Sequence, residues 1–235
     1  MLRQLGLRAY KTVKPGMGSA MAILFDGPET ASTTIILAHG AGAPMDSAAL
    51  SSTAKALGSV GLRVARFEFG YMAGRRSGAG RKPPPRAEQL NPEYIAAVDA
   101  AGAEMPLIIG GKSMGGRVAS MIADELFAAG RIKGLLCLGY PFHPPGKPDR
   151  LRTTHLADLK TPTLIVQGTR DALGSQADVA KYHLSSAIEF LWLEDGDHDL
   201  KPRISVSGLT AADHLRTTAE AVSTWADRIT GETDR

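Results

Sequence analysis

The chain alternates short, almost wholly apolar runs with longer stretches in which apolar residues recur every three or four positions. The first pattern suits strands buried on both faces, and the second suits helices that bury one stripe. Strands are predicted at residues 20–25 (AMAILF), 34–38 (TIILA), 63–69 (RVARFEF), 106–110 (PLIIG), 134–139, 163–167 and 188–193. Helices are predicted near 47–59, 92–101 with Pro92 in the first turn, 117–129, 176–183 and 210–229. Val118, Met121, Ile122 and Leu126 share one stripe of the third helix, and Leu215, Ala219, Val222 and Trp225 share one of the last. Residues 70–85 are rich in Gly, Pro and Arg and predict no regular element.

Strand–helix alternation with right-handed crossovers predicts an α/β fold, a doubly wound and mostly parallel sheet covered on both faces. With no repeat and no linker, residues 1–235 read as a single domain. Ligands of such sheets bind beyond the carboxyl ends of the strands, so the chemistry is sought in the loops that follow them.

Composition narrows the classes. A chain of 235 residues with 43% hydrophobic and 22% charged residues needs neither disulfide nor metal to bury a core. No apolar run approaches the roughly 20 residues of a membrane span, so no membrane partner is expected. Residues 1–14 are basic without an apolar centre, unlike a secretory signal, and a cytoplasmic location is the default expectation. Cys137 is the single cysteine and sits in an apolar run as a small core residue. A net charge of +3 makes no case for nucleic acid. Arg75, Arg76, Arg81, Lys82 and Arg86 cluster locally, either as a solvated loop or as an electropositive rim favouring anionic substrates.

Gly111-Lys112-Ser113-Met114-Gly115 fits G-x-S-x-G between a predicted strand and a predicted helix. Exposing a serine there demands so tight a reversal that the flanking positions have no room for side chains. Ser113 is therefore the candidate nucleophile. The rival phosphate-loop reading fails, because its first glycine falls on Pro106. A serine needs a base, and the base needs an orienting acid. Asp171 follows the strand 163–167, whereas the alternative Asp178 lies inside a helical pattern. His198 follows the last strand in a loop rich in Gly and Asp. Asp195, Asp197 and Asp199 suggest a calcium loop but lack its later bidentate glutamate, so neither metal nor cofactor is expected. Two donors are needed for an oxyanion: the N–H of Met114 and that of Ala41, with Gly42 as second choice. His39 is expected to shape that loop by hydrogen bonding. His143 and His155 lie in a loop after a strand, and His183 and His214 on helices.

The ordered motifs at 39–46 (HGAGAPMD), 110–117 (GGKSMGGR), 138–143 (LGYPFH), 167–171 (QGTRD) and 197–198 (DH) carry a resemblance. Together they resemble bacterial α/β-hydrolases related to dienelactone hydrolase, whose eukaryotic relatives include a testis-expressed protein and a scaffold subunit of a histone acetyltransferase complex. The resemblance runs from about residue 20 onward. It departs only at Gly70-Tyr71-Met72, where a proline is expected before Tyr-Met. It implies an α/β-hydrolase fold and a serine hydrolase, with a catalytically silent interaction protein as the alternative. The interval 140–162 leaves no room for a lid domain, so the site is expected to be open, walled by 70–86 and 140–150. His39, Gly42, Tyr71, Met72, Tyr140, Phe142 and His143 are the candidate pocket lining. Small esters, thioesters or lactones are the expected substrates, and the oligomeric state is open.

Overall fold

The computed structural model describes residues 9–13, 21–76, 78, 80, 83–102 and 105–231. Eight strands among them form one sheet: β1 (Ala9–Val13), β2 (Met21–Asp26), β3 (Thr34–Ala38), β4 (Arg63–Phe67), β5 (Leu107–Lys112), β6 (Gly134–Leu138), β7 (Thr163–Gly168) and β8 (Ile188–Leu193). The spatial order is β1-β2-β4-β3-β5-β6-β7-β8. β1 pairs antiparallel with β2, β2 pairs antiparallel with β4, and every other pairing is parallel. The helices are α1 (Ala48–Ser59), α2 (Gly70–Arg76), α3 (Asn91–Ala101), α4 (Met114–Ala128), α5 (Gln176–Val179), α6 (Ile204–Ser207) and α7 (Ala211–Thr230).

Successive strand residues point to opposite faces, which splits the core in two. Ile35 and Leu37 pack with Leu50, Ala54 and Leu57 of α1 and with Val222 and Trp225 of α7. Ile36 and Ala38 belong to the other cluster, with Tyr94 and Val98 of α3 and Val118, Ile122 and Leu126 of α4. The doubly wound sheet expected from the sequence is therefore the observed one, and only a short 3-10 turn, Thr154–Leu156, lies between β6 and β7. No helix among the described residues is long and apolar enough to cross a membrane. Cys137 is buried in the core, and burial pushes its thiol pKa up.

Four expectations need correction. β1 was not foreseen, because AYKTV is short and half polar; pairing with β2 makes it a strand. Its neighbour starts at Met21, and residue 20 lies outside the described residues. Residues 70–76, expected to be irregular, form α2. Phe69 O accepts from the Met72 and Ala73 amides to start the first turn, and a tertiary bond offsets the weak propensity of its glycines: Glu93 Oε2 accepts from the Gly70 N–H at 2.6 Å. The helix foreseen at 176–183 is the single turn α5, so His183 lies on no helix, because the chain must turn back into β8. Finally, β5 extends to Lys112 rather than stopping at Gly110, which places the glycine before the serine inside the sheet.

Tyr94 ties this frame together from a fully buried position. Its hydroxyl lies 3.0 Å from Ile36 O and 2.5 Å from Gly110 O, and accepts from the Gly110 N–H at 2.8 Å. Tyr94→Phe would strand these backbone groups in an apolar interior. The expected loss is about 1–3 kcal/mol, read as a lower midpoint in denaturant unfolding.

Candidate active site

β5 ends at Lys112 and α4 begins at Met114, so Ser113 alone makes the reversal between them. Its backbone sits at φ 51° and ψ −114°, a strained geometry costing on the order of 1–3 kcal/mol. The turn closes because its flanks are glycine. A Cβ on Gly111 would lie 2.5 Å from Ala38 O and 2.7 Å from Gly115 C. One on Gly115 would lie 2.5 Å from Ala38 O and 2.7 Å from His39 O. The Ser113 N–H donates to Leu138 O at 3.0 Å, anchoring the reversal to the neighbouring strand.

The structure brings Ser113, His198 and Asp171 together from three loops. Ser113 Oγ lies 2.9 Å from His198 Nε2, and His198 Nδ1 lies 2.8 Å from Asp171 Oδ2. A carboxylate only accepts, so Nδ1 carries the proton and Nε2 is free to accept from the serine hydroxyl. Asp171 is buried at 1% exposure. Its Oδ1 accepts from the Leu173 N–H at 2.8 Å, and its Oδ2 also accepts from Gln167 Nε2 at 2.9 Å. Gln167 is itself fully buried and held by the Tyr140 N–H, 2.7 Å from its Oε1. Fixed donors of this kind keep a buried carboxylate in one orientation.

The loop carrying His198 is stapled by its own acids. Asp195 bonds the Arg203 guanidinium, which holds its carboxyl down to about 2. Asp197 Oδ1 accepts from the Asp199 and Lys201 amides, both at 2.9 Å. Arg170, beside Asp171 in sequence, donates to Asp195 O at 2.7 Å and Lys201 O at 3.1 Å.

The loop after β3 is shaped by His39, as expected. Its Nδ1 donates to Gly40 O at 2.7 Å, and its Nε2 accepts from the Phe69 N–H at 3.1 Å. Burial holds the ring below the ordinary histidine value, which favours the neutral form this pattern requires. A trans peptide points its N–H away from its C=O. With Gly40 O held by His39, the Ala41 N–H is turned to the opposite side. Tyr71 Oη donates to Ala41 O at 3.0 Å and turns the Gly42 N–H in the same way. Met114 opens α4, so its N–H has no acceptor within the helix.

Ion pairs pin the far end of that loop. Fully buried Arg66 pairs with Asp26 at 2.5 Å and donates to Met45 O at 2.7 Å. Glu68 accepts from the Met45 N–H at 3.2 Å and from Arg76 Nε at 2.8 Å, while Arg76 also binds Asp46 at 2.5 Å. Of the basic cluster, read from sequence as either a solvated loop or an electropositive rim, Arg76 is thus matched by two carboxylates. Arg75 lies 5.3 Å over the Tyr71 ring, and the Arg86 backbone N–H bonds Gln89 at 3.2 Å. Arg81 and Lys82 lie outside the described residues.

The expected pocket lining divides. Gly42 is exposed and Tyr71 half-buried. Tyr140 and Phe142 are at 0% exposure and belong to the core, and His39, Met72 and His143 are buried as well. A second serine–histidine contact, Ser120 Oγ to His155 Nε2 at 2.8 Å, has a different polarity. The Ser120 hydroxyl donates to Arg117 O at 2.8 Å, so it accepts from His155 and offers that ring no proton. His214, on α7, bonds Leu200 O at 2.9 Å.

Residues 31–227 match the family described as an alpha/beta hydrolase domain. The chain belongs to the α/β-hydrolase family. Solved structures share the fold of this hydrolase at low identity. The esterase domain of a Rhodothermus marinus protein is 19% identical, covering 96% of this chain and 100% of that one, with a TM-score of 0.67. Dienelactone hydrolase from Anabaena variabilis is 18% identical, with coverage of 96% and 99% and a TM-score of 0.68. A Xanthomonas campestris α/β serine hydrolase described as without a lid is 20% identical, with coverage of 97% of both chains and a TM-score of 0.67.

Two residues of this hydrolase's site were not assigned a part from sequence. Gln167 had a readable signal, a polar residue closing an otherwise apolar buried strand. Glu68 had none beyond its place after β4. The Arg76 hydrogen bond holds the Asp46 carboxyl below its ordinary value. A depressed carboxyl contributes stability above its unfolded pKa and loses it as pH falls through the folded one. Arg76→Gln should therefore lower Tm at neutral pH, and the gap to wild type should narrow below about pH 4 in thermal scans.

Proposed function

We propose that this α/β-hydrolase is a serine hydrolase of small carboxylic esters, thioesters or lactones. The observation that carries the reading is the unbroken relay from Ser113 Oγ through His198 to Asp171, at 2.9 and 2.8 Å. His198 Nε2 takes the Ser113 proton as Oγ attacks the acyl carbon, and Asp171 stabilises the imidazolium that forms. The carbonyl oxygen becomes an oxyanion at the N-terminus of α4, where the helix dipole and the Met114 N–H favour negative charge. The Ala41 N–H is the second donor, and each donor contributes roughly 3 kcal/mol to the transition state. His198 returns the proton to the leaving alcohol or thiol. Water, activated by the same imidazole, then hydrolyses the acyl-enzyme at Ser113.

The absence of a helical insertion between β6 and β7 supports an open site and compact substrates, as does likeness to an esterase domain, a dienelactone hydrolase and a lidless serine hydrolase. The alternative, an interaction protein on a silent hydrolase fold, has to explain why three loops converge on a complete relay. A fluorophosphonate probe separates the two. Wild-type protein should label at Ser113, and Ser113→Ala should not. Ser113→Ala should also lose turnover of an activated ester by roughly 10⁴-fold or more with the fold intact. Retention of more than about a tenth of the activity would remove Ser113 from the nucleophile's role.

The base carries its own test. Only neutral His198 accepts the serine proton, so kcat/KM should rise with pH along an acid limb. His198→Ala should abolish both the activity and that limb, whereas a flat wild-type profile from about pH 5 to 9 would exclude His198 as the base.

A further inference from the structure

Lys112 is a half-buried cation that the relay above does not use. Its side chain is 19% exposed, although it ends the strand that delivers Ser113 and precedes that serine directly. Nζ donates to the backbone carbonyl of His198 at 2.5 Å and lies 3.8 Å from the Asp199 carboxylate. Among the described residues it is the donor that reaches this carbonyl. Gly139 leaves the space for the contact. A Cβ there would lie 2.9 Å from Lys112 Nζ, 2.8 Å from His198 O and 3.6 Å from His198 Nδ1. The ammonium and the imidazole therefore crowd the same point above Gly139.

Resting on the serine-hydrolase reading, we propose that Lys112 is a positioning residue that ties the loop of the base to the strand of the nucleophile. Ser113 and His198 stand on separate elements, and the staples of the His198 loop tie it to itself and to the loop after β7 rather than to β5. Lys112 closes a second, parallel link between the same two places, from the residue before the nucleophile to the backbone of the base. A strand residue is the right anchor, because the sheet fixes its Cα and only the side chain spans the gap. Burial pushes the ammonium below the ordinary lysine range, opposed by Asp199, Asp171 and Asp197.

The charge gives the link a signature that mere packing lacks. The charged and titratable groups around His198 are Asp171 from the loop after β7, Asp197 and Asp199 from its own loop, and Lys112 from β5. Three of these are carboxylates that favour the imidazolium, and Lys112 is the cation that opposes them. Removing it leaves the base easier to protonate, so activity should fail at a higher pH.

The experiment measures kcat, KM and the rate of fluorophosphonate labelling across pH for wild type, Lys112→Met, Lys112→Arg and Ser113→Ala. Lys112→Met is expected to lower kcat and the labelling rate roughly tenfold or more, with KM within about threefold. Its acid limb should move to higher pH, and Lys112→Arg should restore both rate and limb. Wild-type kinetics in Lys112→Met would overturn the assignment. So would a slower enzyme whose acid limb has not moved, since that is the mark of damaged packing. If the methionine variant does not fold, Lys112→Gln, which keeps a polar head without charge, is judged by the same limb. Ser113→Ala keeps the two failures apart: if it still labels and turns over, the serine-hydrolase reading falls. If it is inert while Lys112→Met behaves as wild type, only the role of Lys112 falls.

Discussion

The close approach of three backbone segments behind Ser113 is the constraint on which the rest depends. The Ala38 carbonyl at the end of β3 occupies the space that a Cβ on either Gly111 or Gly115 would need. Strand end, elbow and helix start are therefore in contact, and no side chain separates them. The loop with the oxyanion donors begins at the next residue, His39. Its distance from Ser113 is thus set by the spacing of neighbouring strands, about 4.8 Å, rather than by any flexible linker. The strain at Ser113 is affordable because β5 is buried on both faces of the sheet and α4 packs into one of the two cores.

Around this apolar frame the carboxyl edge of the sheet holds polar groups that would each be costly if left alone. Asp171, Gln167, His39, Glu68 and Arg66 are all buried, and each has a directed partner. They act at different removes. Gln167 and Leu173 aim the carboxylate that aims the imidazole. His39 and Tyr71 turn two successive peptides of the loop after β3. Arg66, Glu68 and Arg76 hold that loop's far end at Met45 and Asp46. A buried network of this kind adds little net stability, but it leaves its members few alternative arrangements.

How much of this was legible follows from the range of each interaction. Strands such as 34–38 and 163–167 are apolar over their whole length, and their type can be read from a few neighbours. Ser113, Asp171 and His198 were readable because each follows a strand, and the sheet brings strand ends together whatever the intervening loops do. β1 was missed because its own residues are unremarkable and its partner makes it a strand. α2 was missed because its two glycines and the Gly- and Pro-rich stretch after it speak against a helix, while Glu93, Glu68 and Asp46, distant in sequence, speak for it. Tyr140 and Phe142 were placed at a pocket wall by the loop they start, yet aromatic packing with Tyr182 and Phe190 takes Phe142 into the core. Lys112 reads from sequence as a surface or buried-stem residue, and its tie to the base is hidden because its partner is 86 residues away.

The sheet order has a consequence for how this molecule would come apart. β5, with the elbow, is flanked by β3 and β6 and has helices on both faces, whereas β8, which leads into the loop of His198, is an edge strand with one neighbour. An edge strand, paired on one side alone, opens at a lower free-energy cost than a central one. The two halves of the relay therefore belong to parts of unequal local stability. Partial opening would carry the imidazole away from an elbow that is still folded, so inactivation would precede global unfolding, and reclosing β8 against β7 would restore it.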